Sequence, residues 1–362
     1  MGEIMKLIHT GDIHYGMNPD ADKPWGKERA ADVKNSISVI VSECRKREVD
    51  LLLVSGDLFH RQPIMRDIKE VNYLFSTIPD VNVVIVAGNH DRISENSSIH
   101  SFPWANNVHY IKTSDISSIF LPDINTEVYG FSYENYEIRE NKLAGIKAPD
   151  NGRINILLAH GGDLSHVPFD KNELGNAGFS YVALGHIHKP QVLVDNNVVY
   201  CGSPEPLDVT ETGKHGFYYV EIDDISANVI NLDFIPSASV QYISLVINVS
   251  TVSTNSELLM SVSEEINRRG VNNIYRIKIR GMRDPDIEFD LSVLQSKLKI
   301  AQIIDDSEPQ YNFARLCADH PSDMIGFFIQ QLHRPESGII DKKALCYGVN
   351  ALLHTTEERG QA

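Results

Sequence analysis

Five short apolar segments of this chain each run into a side chain that can bind a metal ion or transfer a proton. They read KLIHTGDIH (6–14), DLLLVSGDLFH (50–60), VIVAGNHD (84–91), INILLAH (154–160) and YVALGHIH (181–188). Apolar runs of this length, rich in β-branched and aliphatic residues, predict buried strands. The sequence therefore predicts a scaffold of strands with polar residues placed where the strands stop.

Helical patterns separate the first three of these strands. Apolar residues recur at helical spacing twice, first at Val33, Ile37, Ile40, Val41 and Cys44, and then at Ile68, Val71, Leu74, Phe75 and Ile78. Alternating strands and helices predict an α/β fold with largely parallel strands. The carboxyl ends of such strands line one edge of the sheet, where ligands bind. We therefore expect motifs that are distant in sequence to meet at one site.

Composition limits the kinds of partner and compartment that this chain can have. The first residues lack the long apolar stretch of a signal peptide, and no 18-residue apolar run occurs, so we expect no membrane span. The four cysteines are scattered, which indicates reduced thiols and predicts a cytoplasmic protein. A net charge of −16 argues against a broad phosphate-binding surface. The absence of a GxxxxGK[ST] motif predicts no nucleotide cofactor in this chain.

The polar residues at the strand ends form a candidate set of metal ligands. Its members are Asp12, His14, Asp57, Asn89, His160, His186 and His188. Seven ligands are too many for one ion, and carboxylate plus imidazole without thiolate suits Mn²⁺, Fe or Zn²⁺. Two ions about 3.5–4 Å apart that share a carboxylate form the clamp used for in-line displacement at phosphorus. The set therefore predicts a two-metal site for phosphoester chemistry.

The order of motifs, DxH, GDxxH, GNHD, H and GHxH, resembles that of the calcineurin-like metallophosphoesterase superfamily over about residues 5–235. The resemblance implies a sandwich of largely parallel or mixed sheets flanked by helices. It implies a first metal held by Asp12, His14, Asp57 and His188. It implies a second metal held by Asp57, Asn89, His160 and His186, with Asp57 bridging the two ions. The resemblance also implies that His90 protonates the leaving oxygen and that Asp91 lies behind His90.

Two further motifs narrow the resemblance to the SbcD-type DNA-repair nucleases. GDLFH places His60 where that group has a histidine beside the leaving-group acid, and YCGSPEPLD (200–208) is similar to the segment that closes their phosphoesterase domain. The resemblance implies a DNA exonuclease or endonuclease in double-strand-break repair, activated by Mn²⁺. It also implies a homodimer and an SbcC-type ABC ATPase partner that hydrolyses ATP.

A smaller second region follows the phosphoesterase domain, which we place at residues 1–235. Strand patterns at 241–249 and 275–280, a helix from Glu257 to Arg269 stopped by Gly270, and a helix capped by Asp290 predict an α/β capping domain over 240–306. Residues 307–362 form a predicted C-terminal helical segment, in which SDMIGFFIQQLHR (322–334) and DKKALCYGVNALLH (341–354) resemble the YhaO-like branch of the family. They contain two predicted amphipathic helices, one from Ser322 and one from Asp341, that either dock the ATPase or pack on this protein itself.

Candidate DNA contacts are few in this acidic chain. Arg276, Lys278 and Arg280 alternate with isoleucines, so three cations share one strand face, which is either a DNA-backbone patch or a solvated surface. Arg61 and Arg92 directly follow two of the motifs and could contact phosphate. The remaining candidates are histidines without a ligand partner in sequence, which we interpret as structural or surface residues: His9, His100, His109, His166 and His215.

Two other functions compete with the DNA nuclease. One is a small-molecule or cyclic-nucleotide phosphodiesterase or phosphatase, against which His60 and the large C-terminal region argue. The other is a binding subunit that keeps its metals only to position DNA or the ATPase, against which the complete ligand set argues.

Overall fold

The computed structural model describes residues 3–94, 97–333 and 338–360. Its strands are β1 (Ile4–Thr10), β2 (Leu51–Ser55), β3 (Asn82–Val86), β4 (Val108–Ile111), β5 (Ser117–Leu121), β6 (Thr126–Gly130), β7 (Ile154–His160), β8 (Tyr181–Gly185), β9 (Gln191–Val194), β10 (Val198–Tyr200), β11 (Gly216–Asp223), β12 (Val229–Pro236), β13 (Tyr242–Val249), β14 (Ile274–Arg283) and β15 (Ile300–Pro309). Its helices are α1 (Gly26–Arg47), α2 (Met65–Ser76), α3 (Ser98–Ser101), α4 (Lys171–Gly175), α5 (Asn255–Arg269), α6 (Ser292–Gln295), α7 (Phe313–Asp319), α8 (Met324–Leu332) and α9 (Ile339–Gly360). The chain divides into two compact units, one ending at Tyr242 and the other beginning at Ile243.

Two six-stranded sheets form the first unit. One has the order β12-β11-β1-β2-β3-β4 and the other the order β5-β6-β7-β8-β10-β9. In the first sheet β1, β2, β3 and β4 are parallel neighbours while β11 runs antiparallel to β1, and in the second β6, β7, β8 and β10 are parallel. The predicted α/β sandwich of mixed sheets flanked by helices is therefore confirmed.

Alternation along the strands divides the apolar side chains between two cores. Leu51 and Leu53 of β2 join Ile156 and Leu158 of β7 in the core shared by the two sheets. Leu52 and Val54 belong to a second core, which includes the apolar faces of α1 and α2. Every residue of the predicted helical faces is buried except the partly buried Leu74, and all but Val33 pack in this second core. Both layers hold the parallel strands so that their carboxyl ends are fixed relative to one another.

The second unit contains a three-stranded sheet in the order β13-β14-β15 and has two apolar cores of its own. Leu258, Val262 and Ile266 of α5 pack with β14 in the first of these. The helix begins at a capping box formed by Thr254 and Glu257. The predicted helix, α5, therefore packs against the predicted strand, β14.

Two predicted helix starts were wrong in detail. The segment after Asp290 forms only the four-residue helix α6, although the Asp290 carboxylate accepts a hydrogen bond from the Ser292 amide. Helix α8 is capped by Asp323 and not by Ser322, because the Asp323 carboxylate accepts from the amides of Ile325 and Gly326. Adjacent Ser and Asp residues have nearly equal capping preference, so the sequence alone does not choose between them.

The apolar stripes of the two C-terminal helices pack inside the second unit. Ile325 and Ile329 of α8 lie in one core with Leu345 and Val349 of α9, and Tyr311 completes it. These stripes are therefore not the free docking surface that one of the two sequence interpretations required. Within the described residues, no helix is long and apolar enough to cross a membrane.

Candidate metal centre

The loops that follow β1 and β2 run side by side and bring predicted ligands together. The amide of Asp12 donates to the Gly56 carbonyl at 3.0 Å, and that of His14 donates to the Asp57 carbonyl at 2.9 Å. Asp12, His14 and Asp57 all have φ between 48° and 49°, a left-handed conformation that is uncommon outside glycine. Such backbone strain clusters at functional sites, where the surrounding structure maintains it.

A first group of ligand atoms joins Asp12, His14 and His188, and all of these atoms lie within 4.8 Å of one another. His188 Nδ1 is 2.7 Å from Glu211 Oε1, so the nitrogen left over, Nε2, points to His14 Nε2 at 3.2 Å. Two facing imidazole nitrogens need a proton or a metal ion between them. Burial disfavours the charged His188 ring, but the Glu211 hydrogen bond and the Asp12 charge outweigh it and raise the pKa of His188 to about 9.

A second group consists of Asp12, Asp57 and His160, which are all buried. His160 Nδ1 donates to the Ser55 carbonyl at 2.9 Å and leaves Nε2 as the free nitrogen. That nitrogen lies 3.0 Å from Asn89 Oδ1 and 3.4 Å from Asp57 Oδ2. An amide oxygen, a carboxylate oxygen and an imidazole nitrogen therefore converge on one small volume.

The electrostatics of this second group favour a cation. Although burial alone would lower it, the Asp57 and Asp12 carboxylates raise the pKa of His160 to about 9. Burial and the Asp57 charge also raise the pKa of Asp12, to about 6. A divalent cation would satisfy the same acceptors that otherwise retain protons, so the donor set fits one.

Asp57 connects the two groups. One of its carboxylate oxygens is 3.4 Å from His160 Nε2 and 3.6 Å from His14 Nε2. Its other oxygen accepts the His90 amide at 2.9 Å. This is the position from which one carboxylate could contact two ions, as the resemblance implies for Asp57.

His186 is held at the centre by a hydrogen bond from its backbone amide, and its ring is oriented by a contact with Asp163. Its amide donates to both oxygens of Asp12, at 3.0 and 2.9 Å, and its ring centroid is 5.1 Å from that of His160. Its Nε2 is 2.8 Å from Asp163 Oδ2. The nitrogen of His186 that remains for a metal is therefore Nδ1.

His90 and His60 form a stacked pair beside the first group. Their ring centroids are 5.3 Å apart at an interplanar angle of 24°, and the His14 ring lies 4.8 Å from that of His90. His90 Nδ1 donates to the carbonyl of His60 at 3.0 Å. The ring orientation of His90 is thus set by a neighbouring backbone, and its Nε2 is the nitrogen available to a substrate.

Asp91 does not support the His90 ring in the way that the resemblance implies. Its carboxylate accepts the amides of Gly88 at 2.8 Å and Phe59 at 3.1 Å, and it is fully buried. Burial and the nearby Asp57 charge raise the pKa of Asp91 to about 7. Asp91 therefore connects the loop after β3 to the loop after β2. The His90 ring is instead supported by the His60 carbonyl.

Three residues that contact the candidate ligands are not predicted from the sequence. Glu211 and Asp163 hydrogen-bond to the two histidines of the GHIH motif. His166, interpreted as structural or surface, lies with Asp163 and His186 in a further group of possible ligands. The sequence signal was weak, since the run HGGDLSH after β7 places Asp163 and His166 three residues apart in a loop without periodicity.

The candidate DNA contacts are distributed over both units. Arg61 is exposed and Arg92 half-buried, and the Gln62 side chain links their loops by donating to the Arg92 carbonyl at 2.6 Å. In the second unit Arg276, Lys278 and Arg280 share one face of β14 as predicted, but Lys278 forms an ion pair with Asp306.

Comparison with known proteins agrees with this geometry. A family model described as "Calcineurin-like phosphoesterase" matches residues 5–190. The "Uncharacterized metallophosphoesterase YhaO" of Bacillus subtilis (strain 168) is 30% identical over 242 residues, covering 60% of this chain and 57% of that protein. The "DNA double-strand break repair protein Mre11" of Methanocaldococcus jannaschii is 29% identical over 261 residues, covering 66% of this chain and 67% of that protein.

This chain thus spans 57% of the length of the first of these relatives. Among solved structures, that of TT1561 from Thermus thermophilus is similar at a TM-score of 0.35 and 13% identity, covering 64% of this chain and 99% of that one. The match to the family model extends over more than half of the 362 residues. The chain therefore belongs to the calcineurin-like phosphoesterase family.

Proposed function

We propose that this chain is a two-metal DNA phosphodiesterase, an exonuclease or endonuclease that acts in double-strand-break repair. The observation that carries the proposal is the arrangement of two groups of ligand atoms joined by Asp57, with the stacked pair of His60 and His90 beside them. A relative at 29% identity is named a DNA double-strand break repair protein, which supports DNA as the substrate.

The residues of this chain divide the reaction between them. Asp12, His14, Asp57 and His188 would hold one divalent ion, and Asp57, Asn89, His160 and His186 the other, with Mn²⁺ preferred and Fe or Zn²⁺ compatible with the same donors. Such ions supply Lewis-acid chemistry by neutralising phosphate oxygens and lowering the pKa of water. The imidazolium form of His90 would keep its Nδ1 proton on the His60 carbonyl and would deliver its Nε2 proton to the leaving oxygen, which leaves a neutral ring. The stacked His60 ring restricts how His90 turns.

The proposed partners are a second copy of this chain and an SbcC-type ABC ATPase. Helix α2, which follows the GDLFH motif, has an exposed apolar Tyr73 (68% exposed), and Ile64 before it is 57% exposed. The exposed Tyr73, together with Ile64 and Met65 exposed at the start of the helix, supports a self-association surface there. ATP hydrolysis belongs to the ATPase in this proposal.

A second candidate is a phosphodiesterase or phosphatase for small molecules or cyclic nucleotides. The observation that favours it is the acidity of the protein, with a net charge of −16 and with Asp306 paired to the central cation of the candidate DNA strand. Activity on plasmid DNA, single-stranded DNA and bis-p-nitrophenyl phosphate, with Mn²⁺ and with chelator, separates the two. Hydrolysis of the small ester without cleavage of DNA would exclude the nuclease.

Asp57→Asn tests the two-metal assignment. Since one Asp57 oxygen lies between His14 and His160, loss of its charge should weaken both ion sites and abolish Mn²⁺-dependent hydrolysis. The measurements are turnover on bis-p-nitrophenyl phosphate, bound Mn²⁺ and thermal unfolding of the folded variant. Turnover near that of the wild type would contradict the assignment.

A further inference from the structure

Asp163 holds His186 through a carboxylate that is itself fixed. One of its oxygens lies 2.8 Å from His186 Nε2. Its other oxygen accepts the backbone amides of Ser165 at 2.7 Å and His166 at 2.9 Å. The His166 ring also donates from Nδ1, which lies 2.9 Å from that second oxygen. These contacts hold the Asp163 carboxylate in the orientation that faces His186.

Glu211 holds His188 in the same manner. One of its oxygens lies 2.7 Å from His188 Nδ1, and the other accepts the amide of Leu207 at 2.8 Å. The two carboxylates use opposite ring nitrogens, Nε2 of His186 and Nδ1 of His188. The nitrogens left for metal are therefore Nδ1 of His186 and Nε2 of His188.

A neutral imidazole that donates one N–H to a carboxylate presents a lone pair at its other nitrogen. Such carboxylate–histidine pairs fix the tautomer and the ring angle of metal ligands and raise their basicity. We propose that Asp163 and Glu211 are positioning residues, Asp163 directing His186 to one ion and Glu211 directing His188 to the other. The proposal rests on the two-metal function above. It adds that a separate carboxylate sets the metal affinity of each ion site.

The competing explanation is that Asp163 only stabilises its own turn. Its side chain is 46% exposed, and it accepts the amide three residues later, as turn carboxylates commonly do. Asp223 makes the same turn contact, accepting the Ser226 amide at 2.7 Å and the Ser226 hydroxyl at 2.7 Å. Asp223→Asn is therefore a matched control that alters a turn carboxylate outside the candidate metal centre.

Calorimetric titration of the full-length metal-free protein with Mn²⁺ tests the proposal. The wild type should bind two ions, and Asp163→Ala should lower the affinity for one of them roughly 10–100-fold, the usual cost of losing such a support. Glu211→Ala should lower the other by a similar factor. Asp163→Asn, which keeps an acceptor oxygen for the turn, should give a smaller loss, and Asp223→Asn should give none.

Double variants show which ion each carboxylate serves. Because Asp163 acts through His186, adding Asp163→Ala to His186→Ala should cause no further loss of Mn²⁺ affinity. Combined with His188→Ala, the loss of affinity caused by Asp163→Ala should persist, because His188 is assigned to the other ion. The reverse pattern should hold for Glu211→Ala.

The outcomes separate this proposal from the function on which it rests. A wild type that binds two Mn²⁺ ions, with both affinities unchanged in folded Asp163→Ala and Asp163→Asn, overturns the positioning role and leaves the two-metal function intact. Losses that multiply with His186→Ala overturn it as well. A wild type that binds no Mn²⁺ overturns both.

Discussion

At the scale of single residues, the structure gives the histidines of the centre different hydrogen-bond partners, and it places His90 with His14 and His60 in another group of possible ligands. His90 Nδ1 is engaged with the His60 carbonyl, and its amide donates to Asp57, so the residue is fixed at both ends. His160, in contrast, presents its free nitrogen to Asn89 and Asp57. Both rings donate from Nδ1 to a backbone carbonyl, so their tautomers do not distinguish them; His160 is distinguished by the Asn89 and Asp57 oxygens that lie beside its Nε2.

His90→Ala should remove proton delivery and leave metal binding in place. General acid catalysis is worth roughly 10²–10⁴-fold, so hydrolysis of DNA should fall by a factor in that range. A p-nitrophenyl ester has a good leaving group and should be affected much less. The measurements are turnover on both substrates and Mn²⁺ stoichiometry, with His100→Ala as a control outside the centre. Equal losses on the two substrates, or loss of Mn²⁺, would exclude this role for His90.

At the scale of elements, the turns after the strands decide where the ligands lie. A methyl group added at Gly88 would collide with the Asp57 carboxylate and approach the Asp57 backbone nitrogen to 2.7 Å. Gly88→Ala should therefore displace Asp57 and reduce turnover by about 10²-fold, the effect typical of a misplacement of about 1 Å. Gly338→Ala, which adds a methyl where the nearest atom is 3.9 Å away, is the control. Wild-type turnover and Mn²⁺ binding in the Gly88 variant would show that this contact does not position Asp57.

Periodicity predicted the elements better than it predicted the residues between them. The strands that lead to Asp12, Asp57 and Asn89 were recognisable because buried strands are continuous apolar runs. Asp163 and Glu211 were missed because they lie in loops, where no period relates sequence to position. Their contacts join parts of the chain 23 residues apart, from Asp163 to His186 and from His188 to Glu211. Only the packed sheets establish such contacts.

The cationic face of β14 can be tested by reversing its three charges to Glu. If Arg276, Lys278 and Arg280 contact the DNA backbone, the variant should bind duplex DNA more weakly and with a flatter salt dependence, since each phosphate contact contributes a slope of about −0.9. Hydrolysis of the small ester should not change. A second variant with Arg139, Lys147 and Lys171 reversed has the same net charge and serves as control. Equal affinities and slopes in the two variants would assign β14 to the solvated surface.

At the scale of the whole molecule, net charge and exposed apolar surface bear on the proposed ATPase partner. A protein with a net charge of −16 repels DNA at long range, so tight binding requires bound cations or a second chain. The second unit buries the stripes of α8 and α9 in its own core, and yet other apolar residues of these helices remain outside. Met324 is 70% exposed, Phe327 57%, Ile340 84% and Tyr347 73%. This outer apolar set, and not the buried stripes, is the part of the helices that a partner could contact.

Substitutions in this outer apolar set test the proposed contact with the ATPase. A deletion of residues 320–362 would not, because it would remove most of the core around Tyr311 and unfold the second unit whether or not a partner binds. Replacing Phe327 and Tyr347 by Ser removes exposed apolar surface and should change the free energy of unfolding little. The double variant should remain folded and Mn²⁺-active and no longer co-purify with a co-expressed SbcC-type ATPase. Ile225→Ser with Val252→Ser, at residues 78% and 81% exposed, should keep the complex. A complex that survives the further replacement of Met324 and Ile340 by Ser would remove the outer apolar set from the proposed ATPase interface.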